Sequence, residues 1–440
     1  MKSIFKTLVL TLASAALLAG SVSCEKHDYP DRFRATEGLP TIHYVKQADA
    51  DVFVTQAYMS DVLCIVGENL KSVHNLFFND QEAILNTSFI TDNTLIVTVP
   101  STQAVDKTDK IYFYNKDGES TTYDFKVLPP APKVSTMSNE WAAAGQKAYI
   151  TGKYFMDVES ISFNGTELKN YTVTSTDRID FTVPEGLSAG PITVTTASGS
   201  ATSAFWYKDN RGMMFDFDTP NSVTGIVLDK NGWNSHNCTT DDTALSGNFF
   251  QLGDGSMTIT GDNSTWNEDM GFVYWPGDTW GDIEYFESHP KLDDVADFSG
   301  WSSKALKFEI YVPASSPWKG GNMQICFAGI DKVTGAGAAV DVNGNTCAGA
   351  NNSYFSGEDN PRAIYSPWAS SGSFDTGNEW LTVTIPLTDF IYTYSGEVCA
   401  NSLKDTSFSS LWIFVVGGKT QGSDCTPIIK IDNIRVVNNQ

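Results

Sequence analysis

Basic side chains are scarce in this 440-residue chain. Lys and Arg total 29 against 52 Asp and Glu, a formal net charge of −23. A polyanion is repelled from such a surface, which excludes nucleic acid and passive docking on anionic lipid. The chain also lacks the signatures of the common chemistries, having no Gly-x-Ser-x-Gly, phosphate loop, His-Glu-x-x-His or zinc spacing among its cysteines. His43 and His74 have no second His or Cys at ligand spacing. After the first twenty residues no apolar run is long enough to cross a bilayer. The C-terminal half shows no apolar stripe of helical period.

What is present describes a folded, aromatic-rich protein. Hydrophobic residues make up 41% and aromatics 12%, enough to bury real cores, and the length suits about three domains. The negative charge is uneven. From Asp209 onward, 22 Asp and 7 Glu face 9 Lys and 3 Arg, so 17 of the 23 excess negative charges lie in about half the chain. Nine of the eleven Trp lie in the same segment, marking it as the place where a ligand is held.

The N-terminus reads as an address. Lys2 and Lys6 precede an apolar run from Leu8 to Ala19, and Gly20-Ser21-Val22-Ser23 leads into Cys24. This arrangement resembles a bacterial lipobox, with Ser21 where Leu is commoner, and the resemblance implies cleavage before Cys24 and lipidation of its sulfur. Plain secretory cleavage is the alternative. Residues 1–23 are then a signal, and 24–40, with the acidic Glu25-Lys26-His27-Asp28 start, a lipidated tether.

Self-comparison finds a repeat. Gly67-Glu68-Asn69-Leu70 and Phe77-Phe78-Asn79-Asp80 match Gly152-Lys153-Tyr154-Phe155 and Ser162-Phe163-Asn164-Gly165 at an offset of 85, and Val99-Pro100 matches Val183-Pro184 at 84. Short alternating segments between turn residues predict two β-sandwiches, over 41–128 and 129–208, joined at Pro129-Pro130-Ala131-Pro132. The repeated residues resemble the immunoglobulin-like IPT/TIG family, whose members act as spacers or interaction modules. Trp141 and Tyr154 offer surface to a ligand, but packing is the simpler role for them.

Over 209–440 the alternating segments lengthen. Leu306, Phe308, Ile310 and Val312 form one apolar face, Leu381, Val383, Ile385 and Leu387 another, and Leu411–Val416 and Ile428–Val437 are further strands. The fold class expected is therefore all-β: two Ig-like sandwiches followed by a larger jelly-roll-like sandwich. Phe215-Asp216-Phe217-Asp218 and Lys430-Ile431-Asp432-Asn433 resemble the first and last strands of jelly-roll carbohydrate-binding modules. That resemblance implies adjacent terminal strands and, in some relatives, a structural calcium, for which Asp216, Asp218 and Asp432 supply hard oxygens. The expectation is nonetheless that these are solvent-facing strand residues and that no cofactor is bound, with the calcium as the alternative.

Gly271 to Asp282 places Tyr274, Trp275 and Trp280 among turn formers, and Trp233, Trp266, Trp318, Tyr354, Phe355, Tyr365 and Trp368 lie in other loop-like stretches. Trp380 and Trp412 fall in strands and belong to the core. A pyranose stacks its C–H face on an indole while polar neighbours bond its hydroxyl edge, so loop aromatics suit sugar binding. The order of lipobox, tandem IPT-like modules and aromatic β-domain resembles the B-type surface glycan-binding proteins of Bacteroidetes polysaccharide-utilisation systems. That family implies a non-catalytic, cell-surface, outer-membrane lipoprotein that holds xyloglucan, or failing that mixed-linkage β-glucan. Its platform here is Tyr274 and Trp275 with Trp280, Trp233, Trp318 and Trp368, and its partners are a porin-type importer and a companion glycan-binding lipoprotein.

Two other classes remain open. Asp282-Ile283-Glu284-Tyr285-Phe286-Glu287 has the carboxylate spacing of jelly-roll retaining β-glucanases, with Asp282 and Glu287 in the catalytic places, but the nucleophile is one methylene short. A non-glycan adhesion or scaffold role is the second. Cys64, Cys238, Cys326, Cys347, Cys399 and Cys425 complete the cysteines, with no pairing of them fixed by sequence.

Overall fold

A computed structural model describes residues 35–218, 238–274, 277–278, 290–333, 339–341, 345 and 355–439. They are almost entirely strand, turn and loop, and no helix among them is long and apolar enough to cross a membrane. The chain forms two compact units, dividing between Pro130 and Ala131.

The first unit is a sandwich. One sheet runs in the order Thr41–Gln47, Val62–Glu68, Thr94–Thr98, the other Gln81–Ala83, Asn75–Phe78, Lys110–Tyr114, Ser120–Asp124. Period-two alternation places Leu63, Ile65, Leu76, Phe78, Leu95, Val97, Ile111 and Phe113 in one shared core.

The second unit begins with the repeat of that sandwich. Its sheets run Lys133–Met137, Lys147–Lys153, Arg178–Thr182, Tyr171–Ser175 and Thr166–Glu167, Val158–Phe163, Gly190–Thr196, Gly199–Tyr207. The repeated letters turn out to be backbone requirements. A Cβ on Gly67 would sit 2.1 Å from the Thr41 carbonyl oxygen, and one on Gly152 1.8 Å from that of Lys133, so each glycine lets the first strand of its sandwich close. Two residues on, Asn69 and Tyr154 both adopt left-handed φ, 58° and 59°. Asn79 and Asn164 do so again at 55° and 46°.

The rest of the second unit is the larger sandwich. Its first sheet runs Cys238–Thr239, Phe249–Leu252, Ile429–Asn438, Lys304–Tyr311, Leu381–Pro386, and Met213–Phe215 also pairs with Ile429–Asn438. The first and last strands of the segment are therefore neighbours, Phe215 lying opposite Ile434. The second sheet runs Gly271–Tyr274, Ser410–Val415, Met323–Ala328, Ala363–Tyr365. Phe215, Phe250, Leu306, Phe308, Ile310 and Ile431 from one sheet meet Phe272, Ile325, Phe327, Leu411, Ile413 and Val415 from the other.

The repeat sandwich and the larger one share a buried ionic joint. Glu140 Oε1 accepts from Lys307 Nζ at 2.5 Å and Glu140 Oε2 from Arg435 Nη2 at 2.8 Å, while Arg435 also donates twice to Glu309, at 2.8 and 3.0 Å. Thr382 Oγ1 donates to Glu309 at 2.9 Å and accepts from the Glu140 amide at 2.7 Å. Two cations and two carboxylates thus neutralise each other out of water. Burial pulls the Arg435 guanidinium down, but Glu309 and Glu140 outweigh it and hold its pKa above the usual value.

Candidate functional site

The second sheet of the larger sandwich is apolar on both faces. Along Ser410–Val415, Leu411, Ile413 and Val415 face the main core, while Trp412 and Phe414 join Val273, Cys326, Ala328, Phe355 and Val416 in a separate buried cluster. Such two-sided burial marks a strand covered from both directions. Trp266 stacks on Phe414 at 4.7 Å between centroids, Phe355 lies 4.8 Å from Phe414, and Tyr394 meets Phe355 edge-on at 5.9 Å. The guanidinium of Arg362 sits over Phe355 and Tyr394, at 4.9 and 5.6 Å, and donates to Gln324 and to the Gly357 carbonyl. Phe414 occupies the space a Gly271 side chain would fill, 2.1 Å from its missing Cβ. Trp266 and Tyr394 are half-buried and so keep part of their rings at the surface of this layer.

Of the six aromatic residues expected to form a platform, Trp233, Trp275 and Trp280 lie outside the described residues, as do Tyr354, Asp282 and Glu287. The other three are corrected by the structure. Trp318 and Tyr274 are wholly buried and Trp368 is 2% exposed. Trp318 bridges to Phe374, and its indole N–H donates to the Gly320 and Gly321 carbonyls at 2.7 and 3.1 Å; Trp368 donates to the same Gly321 carbonyl at 3.0 Å. Tyr274 points into the main core, its hydroxyl donating to the Pro290 carbonyl at 2.5 Å. Tyr274 ends the strand Gly271–Tyr274, Trp318 lies in a loop and Trp368 in the 3-10 turn Pro367–Ser370, and backbone carbonyls satisfy each polar tip. Among the other loop aromatics, Phe355 is buried and Tyr365 half-buried, its phenol pushed up to about 12 by burial. Trp380 and Trp412 are core, as expected. Phe414 and Tyr394 complete the aromatic layer; the first was legible only as a strand residue, and the second sits in a turn that Ser395-Gly396 announces.

Asp216, Asp218 and Asp432 do gather where the terminal strands meet. Asp218 Oδ1 accepts from the Asn248 amide at 2.8 Å and Asp216 Oδ1 from the Asp218 amide at 3.3 Å. Asp432 is wholly buried rather than solvent-facing, and among the described residues neither its Oδ2 nor the Asn433 side-chain amide has a hydrogen-bond partner. Burial pushes the Asp432 carboxyl well up, and Glu309, Asp218 and Asp216 add to the push, so its neutral form is favoured. Among the described residues no three His, Cys, Asp or Glu side chains are arranged to hold a metal ion. Cys64, Cys326, Cys399 and Cys425 carry free thiols.

Comparison with known proteins places this architecture. The profile of the surface glycan-binding protein B xyloglucan binding domain matches residues 207–438, more than half of the chain and all of the larger sandwich. The chain belongs to the surface glycan-binding protein B family. Its fold is similar to the crystal structure of surface glycan-binding protein PbSGBP-B from Prevotella bryantii, with 44% identity, TM-score 0.78, 92% of this chain and 100% of that chain covered. An IPT/TIG domain-containing protein of Bacteroides ovatus is 26% identical over 262 residues, covering 53% of this chain. The match spans 52% of that relative's length. As a member of this family the chain is a cell-surface binding protein of polysaccharide and not an enzyme, which closes the β-glucanase alternative.

Proposed function

We propose that this surface glycan-binding protein captures xyloglucan on the aromatic side of its terminal sandwich, with Trp275 as the principal stacking residue. The observation that carries this is the match of residues 207–438 to a xyloglucan binding domain, the same segment that concentrates nine Trp. The half-buried Trp266 and Tyr394, backed by Phe414, Phe355 and Arg362, are the described part of an aromatic surface that would extend the stack. Affinity comes from rings on the sugar face and specificity from polar groups on its edge. Mixed-linkage β-glucan is the next substrate to consider. A binding protein of this kind needs reach rather than turnover.

The same reading includes lipidation of Cys24 at the outer membrane, and handover of captured glycan to a porin-type importer beside a companion binding lipoprotein. Metabolic labelling with a palmitate analogue, lost on Cys24→Ala, tests the anchor. Native gels cast with xyloglucan, mixed-linkage glucan and an unrelated polysaccharide test the binding. Retardation by xyloglucan, lost on Trp275→Ala with far-UV circular dichroism unchanged, is expected. No retardation by any polysaccharide leaves the adhesion role in its place.

A further inference from the structure

The two Ig-like sandwiches provide an internal comparison. In the first, Asn75–Phe78 pairs with Lys110–Tyr114, setting Phe77 opposite Tyr112 and Asn75 opposite Tyr114. In the second, Val158–Phe163 pairs with Gly190–Thr196 in the same way, setting Ser162 opposite Thr193 and Ser160 opposite Thr195. The inward positions agree: Leu76 with Ile161, Phe78 with Phe163, Ile111 with Ile192, Phe113 with Val194, all buried. The outward ones do not, because Phe77, Tyr112 and Tyr114 stand where the second sandwich has Ser162, Thr193 and Thr195. Serine and threonine support the same register there, so the fold does not require three aromatic rings on this face.

These rings front a groove of about 670 Å³. Phe77 and Tyr114 meet edge-on at 5.7 Å, and all three residues are half-buried. The Tyr112 and Tyr114 hydroxyls have no hydrogen-bond partner among the described residues, whereas Asp80 and Asn79 at the rim are occupied by the backbone amides of Val105, Asp106, Thr108 and Asp109. Asp80, Glu82 and Asp106 against Lys116 make the rim acidic, which disfavours an anionic ligand. Flat rings, unpaired phenols and carboxylate acceptors, without a deep apolar floor, suit a neutral polyhydroxylated chain.

We propose that the Phe77–Tyr112–Tyr114 face of the first sandwich is a second carbohydrate-contacting site for the neutral glucan held by the terminal sandwich. This rests on the function proposed above. Two weak sites on one polymer raise its apparent affinity without either binding tightly alone.

The test uses the full chain and the substitutions Phe77→Ser, Tyr112→Thr and Tyr114→Thr together, which install residues the sister sandwich already tolerates. With 3-fluorotyrosine incorporated, the two fluorine signals missing from a Tyr112→Thr, Tyr114→Thr chain identify these rings. Millimolar xylogluco-oligosaccharide should shift those signals, in the wild type and in Trp275→Ala alike, and the triple substitution should weaken xyloglucan polymer binding about tenfold with melting temperature nearly unchanged. Fluorine signals that stay fixed with xylogluco- and mixed-linkage oligosaccharides, together with unaltered polymer retardation of the triple variant, overturn the proposal. In that case loss of retardation on Trp275→Ala still upholds the terminal site. Conversely, shifted signals in a chain that Trp275→Ala leaves fully retarded uphold this site and refute the other.

Discussion

Replacing Glu140 with Gln removes one of two carboxylates from a site that holds two cations. Lys307 then keeps no carboxylate within ion-pair distance among the described residues, while Arg435 keeps its paired contacts with Glu309. Glu140, Glu309 and Arg435 are at most 2% exposed and Lys307 6%, so little water reaches the stranded ammonium. Breaking a buried pair by removing one partner costs about 3–5 kcal/mol, and the amide retains one acceptor, which puts Glu140→Gln near 3 kcal/mol. Removing the stranded charge as well, in Glu140→Gln with Lys307→Met, should recover most of that loss. Urea denaturation of the two single variants and the double variant gives the coupling directly, and burial makes it nearly independent of salt. A single-variant cost below about 0.5 kcal/mol, or additive losses in the double variant, would refute the claim that these four groups neutralise one another.

Trp318→Ala and Trp368→Ala should each destabilise the terminal sandwich by about 3–5 kcal/mol, measured by denaturant titration, because both indoles are core packing. Unchanged stability with loss of binding would restore them to the glycan site. Gly271→Ala should cost about 1–3 kcal/mol and alter the near-ultraviolet dichroism of the Trp266–Phe414 stack, since the methyl must displace the Phe414 ring. Asp432→Asn should stabilise the protein at neutral pH and leave it unaltered near pH 3. The carboxyl titrates higher when folded than its ordinary 3.8, so its contribution is full below that value and is lost as pH rises through the folded pKa. Melting curves from pH 3 to 8 for both proteins check this, and a neutral-pH loss in the variant would contradict it.

The repeat was legible because its letters answer backbone demands. Gly67 and Gly152 let a neighbouring strand approach, and Asn79 and Asn164 take left-handed φ, so spacing survived where side-chain identity did not. The alternation of Leu306, Phe308 and Ile310 likewise located one face of the larger sandwich. The fates of Trp318 and Trp368 were not legible. Pro and Gly neighbours announce a turn but not whether its loop lies over the core, and the acceptors for both indoles are the backbone carbonyls of Gly320 and Gly321, which leave no trace in composition. The joint was equally hidden, since Glu140 and Arg435 are 295 positions apart and neither carries a local pattern.

Calorimetric titration of xylogluco-oligosaccharide into the wild type and Trp275→Ala, matched for melting temperature, bears most directly on glycan capture by the terminal sandwich. Saturable heat in the wild type and none in the variant is the expected result. Equal affinity in the two proteins would contradict it.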